Sequence, residues 1–228
     1  MNAYYVAILQ GALLTVGVSL AALLVAILLG LAGAAAKLSG RPLLVGLATS
    51  YTTLIRGIPD LVLMLLIFYG GTIGLNHLLE LLGSEDSVDI NPFLAGVLTI
   101  GFIYGAYMTE TFRGAILAVP AGQLEAARAS GMNRTQAFAR IVAPQMLRHA
   151  LPGFTNNWLV LIKATALVSL IGLQEMTYLA KQASAATREP FVFFLFTAAL
   201  FLVYTSVSLY GLRKLDAHMS RGAVRGRL

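Results

Sequence analysis

The chain has no cysteine, which excludes disulfides, zinc–thiolate sites and thiol nucleophiles. Histidine is nearly absent too. His77, His149 and His218 are the only three, and none stands in a His-Glu-x-x-His arrangement. No Gly-x-x-x-x-Gly-Lys-Ser/Thr loop occurs, so the chain lacks the cradle that holds ATP phosphates. Charge is also scarce. Only 11% of the residues are Asp, Glu, Lys or Arg, where a soluble domain carries about 25%. With 58% hydrophobic residues, this deficit places the chain among membrane proteins before any motif is read. The formal net charge of +6 suits either nucleic acid or an anionic membrane face, and the positions of the charges decide between them.

Long apolar runs fill most of the sequence. Residues 1–36, 61–79, 90–109 and 190–212 contain no charged side chain, and residues 149–174 contain one, Lys163. A membrane helix needs about 20 such residues. The expected fold is therefore an all-α membrane protein with five transmembrane helices, near 8–35, 50–78, 92–117, 150–173 and 191–213, in one transmembrane domain over 1–228. The second must hold Arg56-Gly57-Ile58-Pro59-Asp60, so a kink or break is expected there. The first run lacks a basic head and is longer than a signal-peptide core of about 7–15 residues, so it reads as a span and not as a cleaved leader.

Charge then orients the spans. Lys37 and Arg41 follow the first. Arg128, Arg134, Arg140 and Arg148 stand against Glu125 between the third and fourth. Arg213, Lys214, Arg221, Arg225 and Arg227 stand against Asp216 after the fifth. The connection between the second and third holds Glu80, Glu85, Asp86 and Asp89 and no base, and that between the fourth and fifth is balanced. Basic connections stay in the cytoplasm. This places the N-terminus outside and the C-terminus inside, and makes residues 120–145 a cytoplasmic connection. The arginine-rich tail reads as a topology anchor near anionic lipid.

Within that connection lies Glu125-Ala-Ala-Arg-Ala-Ser-Gly131-Met-Asn-Arg-Thr-Gln136-Ala-Phe-Ala-Arg-Ile141-Val-Ala-Pro144. Gly131 suits the left-handed residue that ends a helix, and Asn133 with Gln136 has the spacing of a capping box opening a second one. Phe138, Ile141 and Val142 would share one face of that second helix, and Pro144 would stop it. A DNA-reading helix-turn-helix has this outline, but a recognition helix tied to the bilayer at both ends cannot enter a major groove, so nucleic acid is not an expected partner. A rigid cytoplasmic wedge between two spans is the reading that fits.

The pattern Glu125-Ala126-Ala127, Gly131, Ile141, Pro144 resembles the EAA loop of ABC-importer permease subunits. That family usually has Leu before the Pro, whereas this chain has Ala143. "YTTLIRGIPDLVLMLLIFYG", "GFIYGAYMTETFRGAILAVP" and "IKATALVSLIGL" look like the polar amino-acid branch, and most like the Q-type subunit of the histidine/lysine–arginine–ornithine importers. The resemblance implies an importer in the bacterial inner membrane. It also implies a related second permease subunit, two ATPase subunits that hold the ATP and Mg, and an external amino-acid-binding protein. No cofactor is implied on this chain. Residues 120–145 would be the coupling helix that docks on the ATPase.

Four charges fall within the expected spans. At about 1.5 Å per helical residue, Arg56, Asp60, Glu110 and Lys163 lie roughly 9, 15, 13 and 18 Å from the inner boundary. Each costs about 2.5–3.5 kcal/mol on insertion scales and therefore needs a reason. Asp60 and Glu110 would suit a cationic side chain or an α-ammonium, Lys163 or Arg56 a carboxylate, and Asn157 either the pathway or a neighbouring helix. The bland alternative is pairing: Arg56 with Asp60, Glu110 with Arg113, or Glu110 with Lys163 between helices. Gly101, Gly105 and Ala106 have the small-residue spacing of a close helix contact, and Trp158 reads as packing. A proton-coupled secondary transporter using Asp60 and Glu110 is the rival reading. Five spans do not divide into two equal inverted repeats, which counts against it.

Overall fold

The computed structural model describes residues 2–83 and 90–219, and every regular element among them is helical. In chain order these are α1 (Asn2–Leu38), α2 (Pro42–Gly57), α3 (Asp60–Leu81), α4 (Pro92–Leu117), α5 (Ala121–Ala129), α6 (Arg134–Ile171), α7 (Met176–Thr187) and α8 (Pro190–Met219). Helices α1, α3, α4, α6 and α8 are long and apolar enough to cross a membrane. Glu85, Asp86 and Asp89, with Arg221, Arg225 and Arg227, lie outside the described residues.

Local chemistry sets the boundaries. Pro42 and Pro92 open α2 and α4 at the first turn, where a missing N–H costs nothing, and the Asn91 side chain accepts from the Phe93 and Leu94 amides. The expected second span, 50–78, is two helices. Pro59 pushes Ile58 out of the helical region, to φ −113° and ψ 139°, so α2 ends at Gly57 and α3 starts afresh at Asp60. Pro144 does not stop the second wedge helix. A π-helical turn over Phe138–Val142 carries α6 past the proline, and the Gln145 side-chain amide donates to the Ile141 carbonyl at 3.0 Å. The fourth span therefore begins at Arg134, well before residue 150, and finishes in a 3₁₀ stretch, Thr165–Ile171. Helix α7 was not expected at all.

The core is built around α4. A Cβ added at Gly101 would meet Val25, and one at Gly105 would meet Leu29, while one at Gly30 would come within 2.5 Å of Met108. The contacts advance together along both helices, so α1 and α4 run parallel at close approach. The α1 side of this seam is a stripe of Val18, Ala22, Ala26, Gly30 and Ala34 at four-residue spacing, all buried. Small residues of this kind let backbones meet and gain dispersion contacts where lipid offers no hydrophobic drive. Helix α6 runs antiparallel on α4, with Val168 against Gly96 and Thr111 against Gly153. Trp158 is buried and meets Tyr204 of α8 edge-on, in keeping with a packing role.

A second, smaller core joins the start of α1 to α7 and α8 through Ile8, Met176, Ala180, Ala183 and Phe193. One polar clasp sits in it. Glu175 is 1% exposed, accepts the Tyr178 amide at 2.8 Å and takes the Thr15 hydroxyl at 3.1 Å. It thereby caps α7 and fixes it to α1.

Candidate functional site

Polar groups gather along the side of α4 that faces α2 and the start of α3. Tyr104, Tyr107, Glu110 and Thr111 follow one another at three-, three- and one-residue steps. The Tyr104 hydroxyl donates to Asp60 at 2.9 Å. The Arg56 guanidinium lies over the Tyr107 ring, 5.4 Å from its centre. Glu110 takes two cations, Lys37 from the end of α1 and Arg113 from its own helix at 3.2 Å. Lys37 also donates to Thr52 of α2 at 2.7 Å, so one ammonium ties three helices together. Lys37, Thr52, Thr53, Arg56, Gly57, Tyr107 and Glu110 line an open pocket of about 490 Å³.

The structure thus brings Arg56, Asp60 and Glu110 to one side of α4. It does not pair Arg56 with Asp60 within 4.0 Å among the described residues, and it gives Glu110 the cation Lys37 where Lys163 was the interhelical candidate. Lys163 lies elsewhere, in a groove of about 280 Å³ between α6 and α8 with Leu159, Leu202, Thr205, Ser206 and Leu209. Asn157 points at α4, donating to Thr111 at 3.0 Å. Asn156, Val160 and Lys163 are exposed at four- and three-residue steps, so one face of α6 is open and partly polar. Lys37 is the member that sequence reading assigned to a loop. Its signal is its spacing, three residues after Ala34 on the buried stripe of α1.

The wedge has the local geometry its sequence specifies. Helix α5 ends in a Schellman turn: the Gly131 amide donates to Arg128 at 2.9 Å, the Met132 amide to Ala127 at 3.1 Å, and Gly131 has φ +80°. The Asn133 side-chain oxygen Oδ1 accepts the Gln136 backbone amide at 2.9 Å, and the Gln136 side chain accepts the Asn133 backbone amide at 3.0 Å, completing the capping box. Ala127 and Ala137 are buried between the arms, while Glu125, Ala126 and Pro144 are exposed and Ile141 is half-buried. Leu124, Arg128, Arg134, Phe138 and Val142, with Ile116 at the foot of α4, line a groove of about 430 Å³.

A family model described as binding-protein-dependent transport system inner membrane component matches residues 22–220. The chain belongs to this family. Among its relatives is the histidine/lysine/arginine/ornithine transport system permease protein HisQ of Salmonella typhimurium, 51% identical over 97% of this chain and 96% of that protein. The octopine transport system permease protein OccQ of Rhizobium radiobacter is 41% identical over 96% of this chain and 92% of its own. The crystal structure of an amino acid ABC transporter with histidines contains a similar chain, with a TM-score of 0.77, 32% identity and coverage of 97% and 96%. This member of the inner membrane component family is a permease subunit of an ABC transporter: it carries the helices that cross the membrane, and hydrolysis of ATP belongs to separate ATPase subunits.

Proposed function

We propose that the chain is one of two related permease subunits in an ATP-driven importer of basic amino acids in a bacterial inner membrane. The observation that carries this reading is the likeness to HisQ along nearly the whole of both chains. A binding protein outside delivers the amino acid, and two ATPase subunits with ATP and Mg work inside. The basic connections 37–42 and 120–145 support an N-terminus outside and a wedge in the cytoplasm, by the positive-inside rule. Glu125, Ala126, Ala127, Gly131, Ile141 and Pro144 then belong to the coupling surface. Its continuity with α6 supports that role, because the wedge and a 38-residue helix move as one lever when the ATPases close.

The pathway runs along the polar side of α4, facing the second permease. Within the proposal Asp60, Glu110, Asn157 and Lys163 contribute unequally. Asp60 accepts one hydrogen bond from Tyr104 and keeps acceptor capacity for an ammonium or guanidinium group. Glu110, already neutralised by Lys37 and Arg113, shapes the pocket wall. Asn157 extends the polar surface on to α6, and Lys163 touches substrate only where the route passes the open face of that helix.

The test is a substrate panel in proteoliposomes containing this chain, its partner permease and the ATPase, with ATP inside and the binding protein outside. Arginine, lysine, ornithine and histidine should accumulate and leucine should not. Accumulation of neutral amino acids alone would refute the basic-substrate reading.

A further inference from the structure

Charge around the pocket does not cancel. Lys37 and Arg56 stand against a single lining acid, Glu110, and that acid is held by Lys37 from α1 and Arg113 from α4. The nearby acid, Asp60, is bonded by Tyr104. Arg56 is left with an aromatic face and, among the described residues, no carboxylate within 4.0 Å. Its ring partner Tyr107 sits about 22 Å along α4 from Pro92 and about 15 Å from Leu117, deep in the span. An exposed guanidinium at that depth, with five donors in a planar fork, calls for an anion with two oxygens. The guanidinium lies over the Tyr107 ring, and both side chains line the pocket.

We infer that Arg56 binds the carboxylate of the amino acid in transit, through a bidentate pair formed only while substrate is in the pocket. This rests on the transport reading above and adds to it the group that holds the invariant end of every amino acid. The arrangement separates two tasks. Arg56 reads the carboxylate common to all amino acids, and Asp60 is left to favour a cationic side chain. Lys37 and Arg113 are both engaged by Glu110, whereas Arg56 has no carboxylate within 4.0 Å among the described residues. Lys163 is a poorer candidate because its groove between α6 and α8 lies apart from Asp60 and Glu110. The competing account is a structural pair between Arg56 and an acid of the second permease.

Equilibrium binding of radiolabelled arginine and of its carboxyamide is the direct test, using the complex with partner permease and ATPase in nanodiscs and no binding protein. The intact complex should prefer arginine to the amide by about ten- to a hundredfold. Arg56→Gln should weaken arginine binding by a similar factor and bind the two ligands alike. Arg56→Lys should recover part of the preference, because it keeps the charge and loses the fork. An Arg56→Gln complex that still discriminates as the intact one does would overturn the inference and leave the transport reading standing. Failure of Arg56→Gln to assemble with the partner, with Arg56→Lys assembling and discriminating at full strength, would establish the structural pair instead. An intact complex that binds arginine and the amide equally would overturn the inference, and one that binds neither would count against the pathway reading as well.

Discussion

At the level of single residues the most informative group is Lys37. Its ammonium links Glu110 on α4 and Thr52 on α2. Removing it leaves Glu110 with Arg113 alone, in a site where the Lys37 side chain is only 11% exposed. Lys37→Met should therefore destabilise the purified complex by roughly 1.5–3 kcal/mol. Adding Glu110→Gln should restore part of that loss, because the half-buried carboxylate that has lost one of its two cations is then neutral. Thermal melting of both single variants and the double variant gives the coupling, and strict additivity would mean that the contact contributes nothing. The charges of this site were legible in the sequence as exceptions in apolar runs. Their partners were not, because pairing depends on which faces of α1, α2 and α4 meet. Lys37 looked like a topology marker, although its place three residues beyond Ala34 continues the buried stripe.

Among the elements, the wedge was read most completely. Its turn depends on neighbouring residues alone: a left-handed Gly131, then an Asn133–Gln136 capping box. The path through Pro144 was missed because a π-helical turn is a response to the proline that local propensity does not specify. Helix α7 was missed for a different reason. It is a 12-residue helix with Lys181 within it, and its hold on the protein comes from packing on α1 and α8 and from the buried Glu175 clasp. Isolated helices of that length are marginal, so the signal lay in tertiary contacts. The turn makes a sharp expectation. Gly131 has open space around it, so a substitution there acts through backbone strain rather than collision. Gly131→Leu should cost about 1–2 kcal/mol locally and abolish ATP-dependent uptake while protein levels in the membrane stay normal. Gly131→Asn, which tolerates the left-handed region, should retain most uptake. Equal uptake by the leucine variant and the parent would remove the turn from the coupling path.

For the whole molecule, four charge-free runs and one with a single charge, Lys163, identified all five spans because a bilayer penalises every unpaired charge along about 30 Å. The division of the second expected span into α2 and α3 follows from Pro59 and was foreseen as a break, although the start of α2 at Pro42 was not. Orientation is open to a simple test, since the chain has no native cysteine. Leu82→Cys, at an exposed helix end, should react with an impermeant maleimide added outside intact cells. Gly122→Cys, in the exposed first turn of α5, should react only after the membrane is opened. The reverse pattern would put the wedge outside and deprive it of any ATPase to meet.

The central claim is that movement of substrate through this chain is driven by a separate ATPase acting on the wedge. The decisive measurement is uptake of labelled arginine by proteoliposomes holding the complete complex, compared with the same complex carrying an ATPase inactivated at its phosphate-binding lysine, each with and without a protonophore. Uptake should require internal ATP, persist in the protonophore and vanish with the inactive ATPase. Uptake that survives the inactive ATPase and collapses with the proton gradient would contradict the account and favour a proton-coupled carrier.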